Sequence, residues 1–206
     1  EQLPNIIGGS ADLEPSNYTG GFAKKYGDFQ KDNRFGRNLA FGVREFPMAT
    51  ILNGMALHCG IIPFGGTFLI FSDYSRPALR LGALQKIRVI HEFTHDSFYV
   101  GEDGPTHQPV EHTMALRAIP DLQVFRPADA KETAICFRLA LESKNNPSAL
   151  LLTRQGVPVF QESIKKIETG VRRGGYIIRK CKKPEINLIA TGSEAPLALK
   201  VAENMT

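Results

Sequence analysis

The sequence lacks the features that mark membrane and secreted proteins. No apolar run approaches the ~20 residues that a membrane-spanning helix needs, and no signal peptide is recognisable. The three cysteines (Cys59, Cys136 and Cys181) are odd in number and form no CxxC pair, which is typical of a reducing compartment. We therefore expect a cytoplasmic protein that has no membrane partner.

The sequence also has only a small excess of positive over negative charge. Lys and Arg number 25 against 21 for Asp and Glu, and the only basic cluster spans residues 180–183. Because no basic stripe carries interleaved aromatic residues, a nucleic-acid partner is not expected. The small positive excess suits anionic metabolites at least as well.

The composition is that of an ordinary globular protein, with 42% hydrophobic and 22% charged residues. Internal repeats and low-complexity tracts are absent. The chain begins at Glu1 and ends inside an amphipathic pattern that has no C-cap glycine. From these two ends we expect a piece of a longer protein.

Strand and helix patterns alternate from residue 38 to residue 154, which predicts an α/β fold with a parallel sheet and helices on both faces. The predicted strands are 5–13 (breaking at Gly8 and Gly9), 38–43, part of 61–71, 87–93, 122–125, 148–153, 176–179 and 185–190. Segments 14–36 and 155–173 show no periodicity and are predicted to be irregular. We expect one domain over 1–180, with 181–206 forming a connector and a truncated first β-α unit of another domain.

The most informative stretch is the loop from Gly101 to Glu111. Two glycines and two prolines exclude a continuous helix or a central strand there. The loop nevertheless carries Asp103, Thr106 and His107, and it follows a predicted apolar strand. Since open α/β sheets bind ligands beyond the carboxyl ends of their strands, this loop predicts a binding site for a small polar ligand. A solvated surface turn is the alternative.

Other polar and aromatic side chains stand at predicted strand ends. They are Asp12, Ser16, Glu45, the aromatic group Phe68, Phe71 and Tyr74, His95, and Arg154. Each has a structural alternative: the aromatic residues can be core, Glu45 can pair with Arg44 or stabilise a helix N-terminus, and Arg154 can be a surface charge. A metal-dependent hydrolase that uses His91, His95, His107 and Asp103 is another possibility, although the spacing matches no zinc motif. A non-catalytic interaction module is a third.

Several stretches together resemble the transketolase family, in order and over essentially the whole chain. They are Gly9–Leu13, Arg44-Glu45-Phe46, Gly66–Leu69, Thr94–Ser97, Gly101–Glu111, Phe125–Asp129, Ser148–Gln155 and Ala190–Glu194. The resemblance implies a thiamine diphosphate enzyme that moves a two-carbon ketol unit between sugar phosphates. It further implies that this piece is the middle, pyrimidine-binding domain with the start of the C-terminal domain.

The resemblance also implies roles for individual residues. Glu45 matches the glutamate that hydrogen-bonds the aminopyrimidine ring of the cofactor and promotes its catalytic tautomer. Phe68, Phe71 and Tyr74 match the pocket around that ring, and Asp12 and Leu13 match positions near the thiazolium. Substrate contacts are implied for Ser16, His95, Asp103, His107 and Arg154, and His107 is also expected to act at the reacting carbonyl.

No residue of this chain is expected to hold the metal. In the family the diphosphate and its Mg or Ca ion bind to the N-terminal domain, and each active site lies between two subunits of a homodimer. This chain is therefore expected to carry half a site and to be inactive alone. Two relatives of the family, the β-type subunit of a 2-oxo acid dehydrogenase and a deoxyxylulose-phosphate synthase, share the glutamate and stay open as alternatives.

Overall fold

The computed structural model describes residues 3–205, and within that range six strands form one sheet. The strands are β1 (Ile6–Ser10), β2 (Asn38–Ala40), β3 (Ile62–Phe68), β4 (Ile90–Thr94), β5 (Gln123–Phe125) and β6 (Ser148–Leu151). Their order is β2-β1-β3-β4-β6-β5, and every neighbouring pair is parallel. The predicted parallel α/β fold is confirmed.

Eight α-helices lie in the same part of the chain. They are α1 (Glu14–Asn17), α2 (Gly20–Tyr26), α3 (Glu45–His58), α4 (Ser72–Leu84), α5 (His112–Arg117), α6 (Ala130–Glu142), α7 (Ile164–Arg172) and α8 (Ala195–Asn204). None of the helices within residues 3–205 is long and apolar enough to span a bilayer.

Helices pack on both faces of the sheet. On one face Phe93 of β4 packs in a buried cluster with Leu79 of α4 and Leu116 of α5. On the other face Ile90 of the same strand packs with Cys136 of α6. Because successive side chains of a strand point to opposite faces, β4 is covered on both sides by helices.

The register of the strands brings their carboxyl ends to one edge. Ser10 at the end of β1 pairs with Gly66 of β3, and Phe68 at the end of β3 pairs with Thr94 at the end of β4. Residues that follow these strands are therefore neighbours in space although they are far apart in sequence.

Gly8 and Gly9 do not break the first strand as predicted; both lie inside β1. A Cβ atom on Gly8 would lie 2.0 Å from the carbonyl oxygen of Phe64, and one on Gly9 would lie 2.1 Å from that of Leu39. The two glycines therefore allow close packing with the neighbouring strands instead of a turn.

Two segments that were predicted to be irregular contain helices. Segment 14–36 holds α1 and α2, and the Phe22 ring of α2 packs 4.8 Å from that of Phe64. Segment 155–173 holds α7, whose N-cap Ser163 accepts a hydrogen bond from the Lys166 amide. α1 and α2, with 4 and 7 residues, are too short to show a helical period, whereas α7 has apolar residues at helical spacing (Ile164, Ile167 and Val171) that the prediction overlooked.

The two predicted strands at 176–179 and 185–190 are absent. Tyr176 instead packs against Gly170 and donates a hydrogen bond to Glu132. Every residue of segment 185–190 is exposed, and Ile189 has 95% of its surface in solvent. Within residues 3–205 no strand lies beside either segment, and an alternating pattern cannot form a strand without a neighbour.

Candidate active site

The predicted site residues lie at the edge of the sheet where the parallel strands end. Phe68 is the last residue of β3, His95 directly follows β4, and Arg154 lies three residues beyond β6. This edge is where α/β sheets bind ligands, because the loops there diverge and leave room between them.

Aromatic rings form one wall of this edge. The rings of Phe68 and Phe71 are nearly parallel, with an interplanar angle of 8° and a centroid separation of 5.9 Å. The His95 ring stacks on Phe68 at 3.8 Å, and the His107 ring meets Phe71 edge-on at 5.4 Å. Tyr74 lies 6.2 Å from Phe71 and is largely exposed. These flat faces suit a planar ring, and they bring three predicted cofactor residues against two predicted substrate residues.

His95 is the most constrained residue of the group. Its backbone has a φ of 59°, a left-handed conformation that side-chain-bearing residues seldom adopt. Burial lowers the pKa of the imidazole, Asp103 acts to raise it, and Arg154 and His107 act to lower it further. These three charged or polar groups are therefore close enough to act on His95, and the ring favours its neutral form.

Arg154 ties the loop of residues 101–111 to the end of β6. Its guanidinium donates one hydrogen bond to the Val100 carbonyl at 2.8 Å and another to the Glu102 carboxylate at 2.9 Å. The hydrogen bond from Arg154 lowers the pKa of Glu102. Beyond this contact a 3-10 turn, Pro105–His107, carries His107 towards the aromatic wall. The loop is thus not a free surface turn, although Asp103 itself is exposed.

Glu45 is the first residue of α3 and is only 8% exposed. The predicted alternative of a pair with Arg44 does not form, because the Arg44 guanidinium donates to the Phe41 carbonyl instead. Within residues 3–205 the Glu45 carboxylate has no hydrogen-bond or ion-pair partner. Although the side chain is largely buried, the carboxylate oxygens are not fully enclosed, and their position at the start of α3 favours a negative charge.

Asp12, Leu13 and Ser16 lie beyond the end of β1. Asp12 is exposed with a φ of 65°, Leu13 donates its amide to the Ser10 hydroxyl, and Ser16 is exposed on α1. No hydrogen bond, ion pair or ring contact in the described part of the chain joins these three residues to the aromatic wall. The structure therefore places them at the same edge but does not bring them into contact with the other predicted residues.

A buried chain of hydrogen bonds does connect the β1 end to His95. The Ser10 hydroxyl contacts Asn17 Oδ1 at 2.8 Å, Asn17 Nδ2 contacts Thr94 Oγ1 at 2.6 Å, and Thr94 Oγ1 contacts His95 Nδ1 at 2.9 Å. Asn17 was missed by the sequence analysis, since nothing in its local pattern shows that it faces a residue 77 positions away.

Arg126 is a second residue that was missed. It forms ion pairs with Asp96, directly after His95, and with Glu194, and it also donates to the Thr191 carbonyl at 2.9 Å. Burial acts to raise the pKa of Asp96, against the lowering effect of Arg126. This contact joins the turn before α8 to the end of β4. The motifs 94–97, 125–129 and 190–194 all contribute to it, so their joint presence was the available signal.

The side chains proposed for a metal-dependent hydrolase do not converge. The only three possible ligands within 4.8 Å of one another in residues 3–205 are Asp73, Glu111 and His112. Asp73 is already paired with Arg76, and none of the three was in the predicted set. A metal-hydrolase site built on His91, His95, His107 and Asp103 is therefore not supported.

Comparisons with known proteins show which family has this sequence and fold. The family described as the transketolase pyrimidine-binding domain matches residues 1–159. The transketolase of Geobacillus stearothermophilus is 55% identical over 203 residues, which cover 98% of this chain and 30% of that relative. The solved transketolase of Leishmania mexicana superposes with a TM-score of 0.92 at 48% identity, covering 98% of this chain and 30% of that one.

A third neighbour carries a ligand in its name. It is a Pichia stipitis transketolase in complex with sedoheptulose 7-phosphate, with a TM-score of 0.90, 44% identity, and coverage of 98% of this chain and 30% of that one. The chain thus spans about 30% of the length of the relatives that it matches. On these matches, the chain belongs to the transketolase family.

Proposed function

We propose that this chain forms the pyrimidine-binding half of a transketolase active site, in an enzyme that transfers a two-carbon ketol unit between sugar phosphates. The observation that carries the proposal is the meeting of Phe68, Phe71, His95 and His107 at the carboxyl edge of the sheet, beside Arg154. We place the domain boundary near residue 180, because residues 179–190 are all exposed, as in a connector between domains.

The residues of this edge fit thiamine diphosphate, which when bound supplies the carbon nucleophile of such a transfer. Phe68, Phe71 and Tyr74 would contact the flat pyrimidine ring, and the unpartnered carboxylate of Glu45 would hydrogen-bond a ring nitrogen and hold a proton there. Asp12 and Leu13 would lie near the second ring of the cofactor. The fit is supported by the Glu45 carboxylate, which has no hydrogen-bond or ion-pair partner within residues 3–205, and by the partly exposed Phe71 ring and the exposed Tyr74 ring.

Substrate contacts are proposed for Ser16, His95, Asp103, His107 and Arg154. A guanidinium and imidazole N–H groups suit the oxygens of a phosphate dianion, and a carboxylate suits sugar hydroxyls. Arg154 uses two of its five N–H donors on Val100 and Glu102, which leaves three for a ligand. His107 is proposed to act as a hydrogen-bond or proton partner at the reacting carbonyl.

A second subunit and a metal ion are proposed to complete the site. The diphosphate group and a Mg or Ca ion would be bound by the part of the protein outside this chain, as part of a homodimer in the cytoplasm. Large apolar side chains near the site are exposed, including Tyr74 (64%), Phe98 (79%) and Val110 (81%). Surfaces of this kind are typical of subunit contacts.

A chimera tests the proposal. This chain would replace the matching 203 residues of the Geobacillus stearothermophilus transketolase, with the unaltered relative as control. With thiamine diphosphate, magnesium, xylulose 5-phosphate and ribose 5-phosphate, the chimera is expected to produce sedoheptulose 7-phosphate and the isolated chain is not.

The variant Glu45→Gln in the same chimera tests the assigned residue. Gln keeps the shape of the side chain but cannot exchange a proton in the same way, so we expect turnover to fall at least about 100-fold. A folded chimera with no transfer activity would refute the function. Near-normal turnover of Glu45→Gln would refute the role of Glu45.

A further inference from the structure

We propose that the buried residues Ser10, Asn17 and Thr94 fix the tautomer of His95, so that its ring carries the proton on Nε2 and presents an N–H donor to the site. The three would act as positioning residues, since none of them is placed against a ligand. The target of the donor, an oxygen of a phosphate or sugar, rests on the proposed function. The direction of the hydrogen bonds does not.

The three positioning residues are cut off from water. Ser10, Asn17 and Thr94 have 0%, 1% and 6% of their surface exposed. Their contacts, at 2.8 Å and 2.6 Å, followed by 2.9 Å to His95 Nδ1, form one unbranched chain across three elements. Each hydroxyl hydrogen of this chain needs an acceptor inside it, because an unsatisfied buried donor costs about 1–3 kcal/mol.

Ser10 sets the direction of the chain. Its Oγ accepts a hydrogen bond from the backbone amide of Leu13 at 3.0 Å. Its own hydroxyl hydrogen has only Asn17 Oδ1 as an acceptor in the described part of the chain. The Asn17 amide is therefore oriented with its oxygen towards Ser10 and its NH₂ group towards Thr94.

Thr94 passes this direction on to the imidazole. Because Thr94 Oγ1 accepts from Asn17 Nδ2, its hydroxyl hydrogen is free to donate, and His95 Nδ1 is the acceptor within reach. Nδ1 then carries no proton, and in the neutral ring the proton lies on Nε2.

The reversed chain is less stable for a reason that the structure identifies. If Asn17 were flipped, its NH₂ group would donate to Ser10, Thr94 would donate to Asn17 Oδ1, and His95 Nδ1–H would donate to Thr94. The second N–H of Asn17 lies outside the chain in both orientations. Among the groups that form the chain, only the Ser10 hydroxyl hydrogen would then be buried with no acceptor. One hydroxyl on β1 thus decides the protonation pattern of a ring on the far side of β3.

The outcome suits the surroundings of His95. Burial lowers the pKa of the ring, which keeps it neutral at neutral pH, so its tautomer matters. Nε2 has no hydrogen-bond partner within residues 3–205 and lies on the side of the ring away from Thr94. With Arg154 nearby, a fixed Nε2–H would add a second donor for an oxygen-rich ligand.

The protonation states of the ring nitrogens can be read by long-range proton–nitrogen NMR of the isotope-labelled chain at neutral pH. The His95 signals would be assigned with the variant His95→Gln. We expect a proton on Nε2 and none on Nδ1. His112 serves as an internal reference, since its Nδ1 accepts from the Val110 amide at 3.4 Å and its Nε2 lies 3.0 Å from the Asp73 carboxylate.

Ser10→Ala is the decisive variant. It removes the hydroxyl that disfavours the reversed chain, so His95 is expected to shift to a mixture of both tautomers although Ser10 does not touch it. Ser97→Ala is the matched control, because Ser97 is also buried and is nearer to His95 in sequence, but its hydroxyl bonds to Thr153 and Gln155. If Ser10→Ala does not fold, Thr94→Val, which removes the donor to Nδ1, is expected to give the same mixture.

A wild-type ring that carries its proton on Nδ1, or that averages between the tautomers, would overturn the proposal. An unchanged His95 spectrum in folded Ser10→Ala or Thr94→Val would do so as well. In the transketolase chimera, an equal mixture of tautomers predicts about a twofold rise in KM for the sugar phosphate with kcat less affected. A chimera without any activity would count against the proposed function, while the ring spectra would still decide the tautomer.

Discussion

Glu92 is expected to lower the stability of the protein at neutral and alkaline pH. It lies in the middle of β4, paired in register with Gly66 of β3 and Leu150 of β6. Within residues 3–205 its carboxylate has no hydrogen-bond or ion-pair partner, and burial raises its pKa from 4.5 to about 7. The variant Glu92→Gln keeps the size of the side chain and removes the charge.

The sign of the effect follows from linkage between protonation and folding. The folded state favours the protonated carboxyl, so the stability that depends on this proton is present below pH 4.5 and is lost as the pH rises through about 7. A rise of this size corresponds to about 3 kcal/mol. Because Glu92 is only partly buried, we expect about 2 kcal/mol of the difference to be measured.

Urea unfolding of the wild type and Glu92→Gln across pH 4.5–8 measures the difference directly. Burial lowers the pKa of the neighbouring His91 to about 4, and its loss of stability on acidification affects both proteins equally and cancels. The variant should match the wild type at the acid end and exceed it by about 2 kcal/mol at pH 8. The exposed Glu185→Gln is the control and should show no difference. A constant offset between Glu92→Gln and the wild type at every pH would refute the reasoning.

Three further substitutions have expected outcomes. Asp129→Ala removes the N-cap of α6 and the acceptor of the buried Phe160 amide at 2.8 Å. Chemical denaturation should therefore show a free energy of unfolding lower by about 2–3 kcal/mol, and a decrease below about 0.5 kcal/mol would contradict the capping role. Arg126→Met leaves the Asp96 carboxylate buried without its cation and should lower the free energy of unfolding by about 3 kcal/mol. Adding Asp96→Asn should restore part of this loss, and equal stabilities of the single and double variants would exclude the explanation. Arg154→Ala should leave the unfolding midpoint unchanged, because the ion pair with Glu102 is exposed. It should nevertheless speed hydrogen exchange of the backbone amides over residues 100–104. Unchanged exchange would mean that the guanidinium does not hold the loop.

The fold class was readable from the sequence because its cause is periodic. Apolar strands and amphipathic helices alternate between residues 38 and 154, and a parallel sheet is the arrangement that buries both. Local signals also worked where one side chain acts on its own neighbourhood. At the start of α6, for example, Asp129 stands three residues before Glu132, the spacing of a capping box, and its carboxylate accepts the Glu132 amide at 2.9 Å.

The errors occur where a segment depends on distant partners. Residues 185–190 alternate as a strand does, but a strand exists only beside another strand, and the sequence does not state whether one is present. Gly8 and Gly9 were interpreted as a break because glycine is common in turns. Their true role depends on the carbonyl oxygens of Phe64 and Leu39, which reach them only once the sheet has formed.

The candidate site divides in the same way. Strand ends predicted which side chains would gather, and His95, His107 and Arg154 do lie at one edge, because parallel strands share that edge whatever their order. Their chemical state was not predictable. Whether His95 offers an N–H or a bare nitrogen depends on how Asn17 is turned, and Asn17 is turned by a serine on a different strand. Residue types in a motif therefore predict which ligands a site can bind. The direction of the buried hydrogen bonds determines which site atoms donate to the ligand and which accept, and only the folded chain defines that direction.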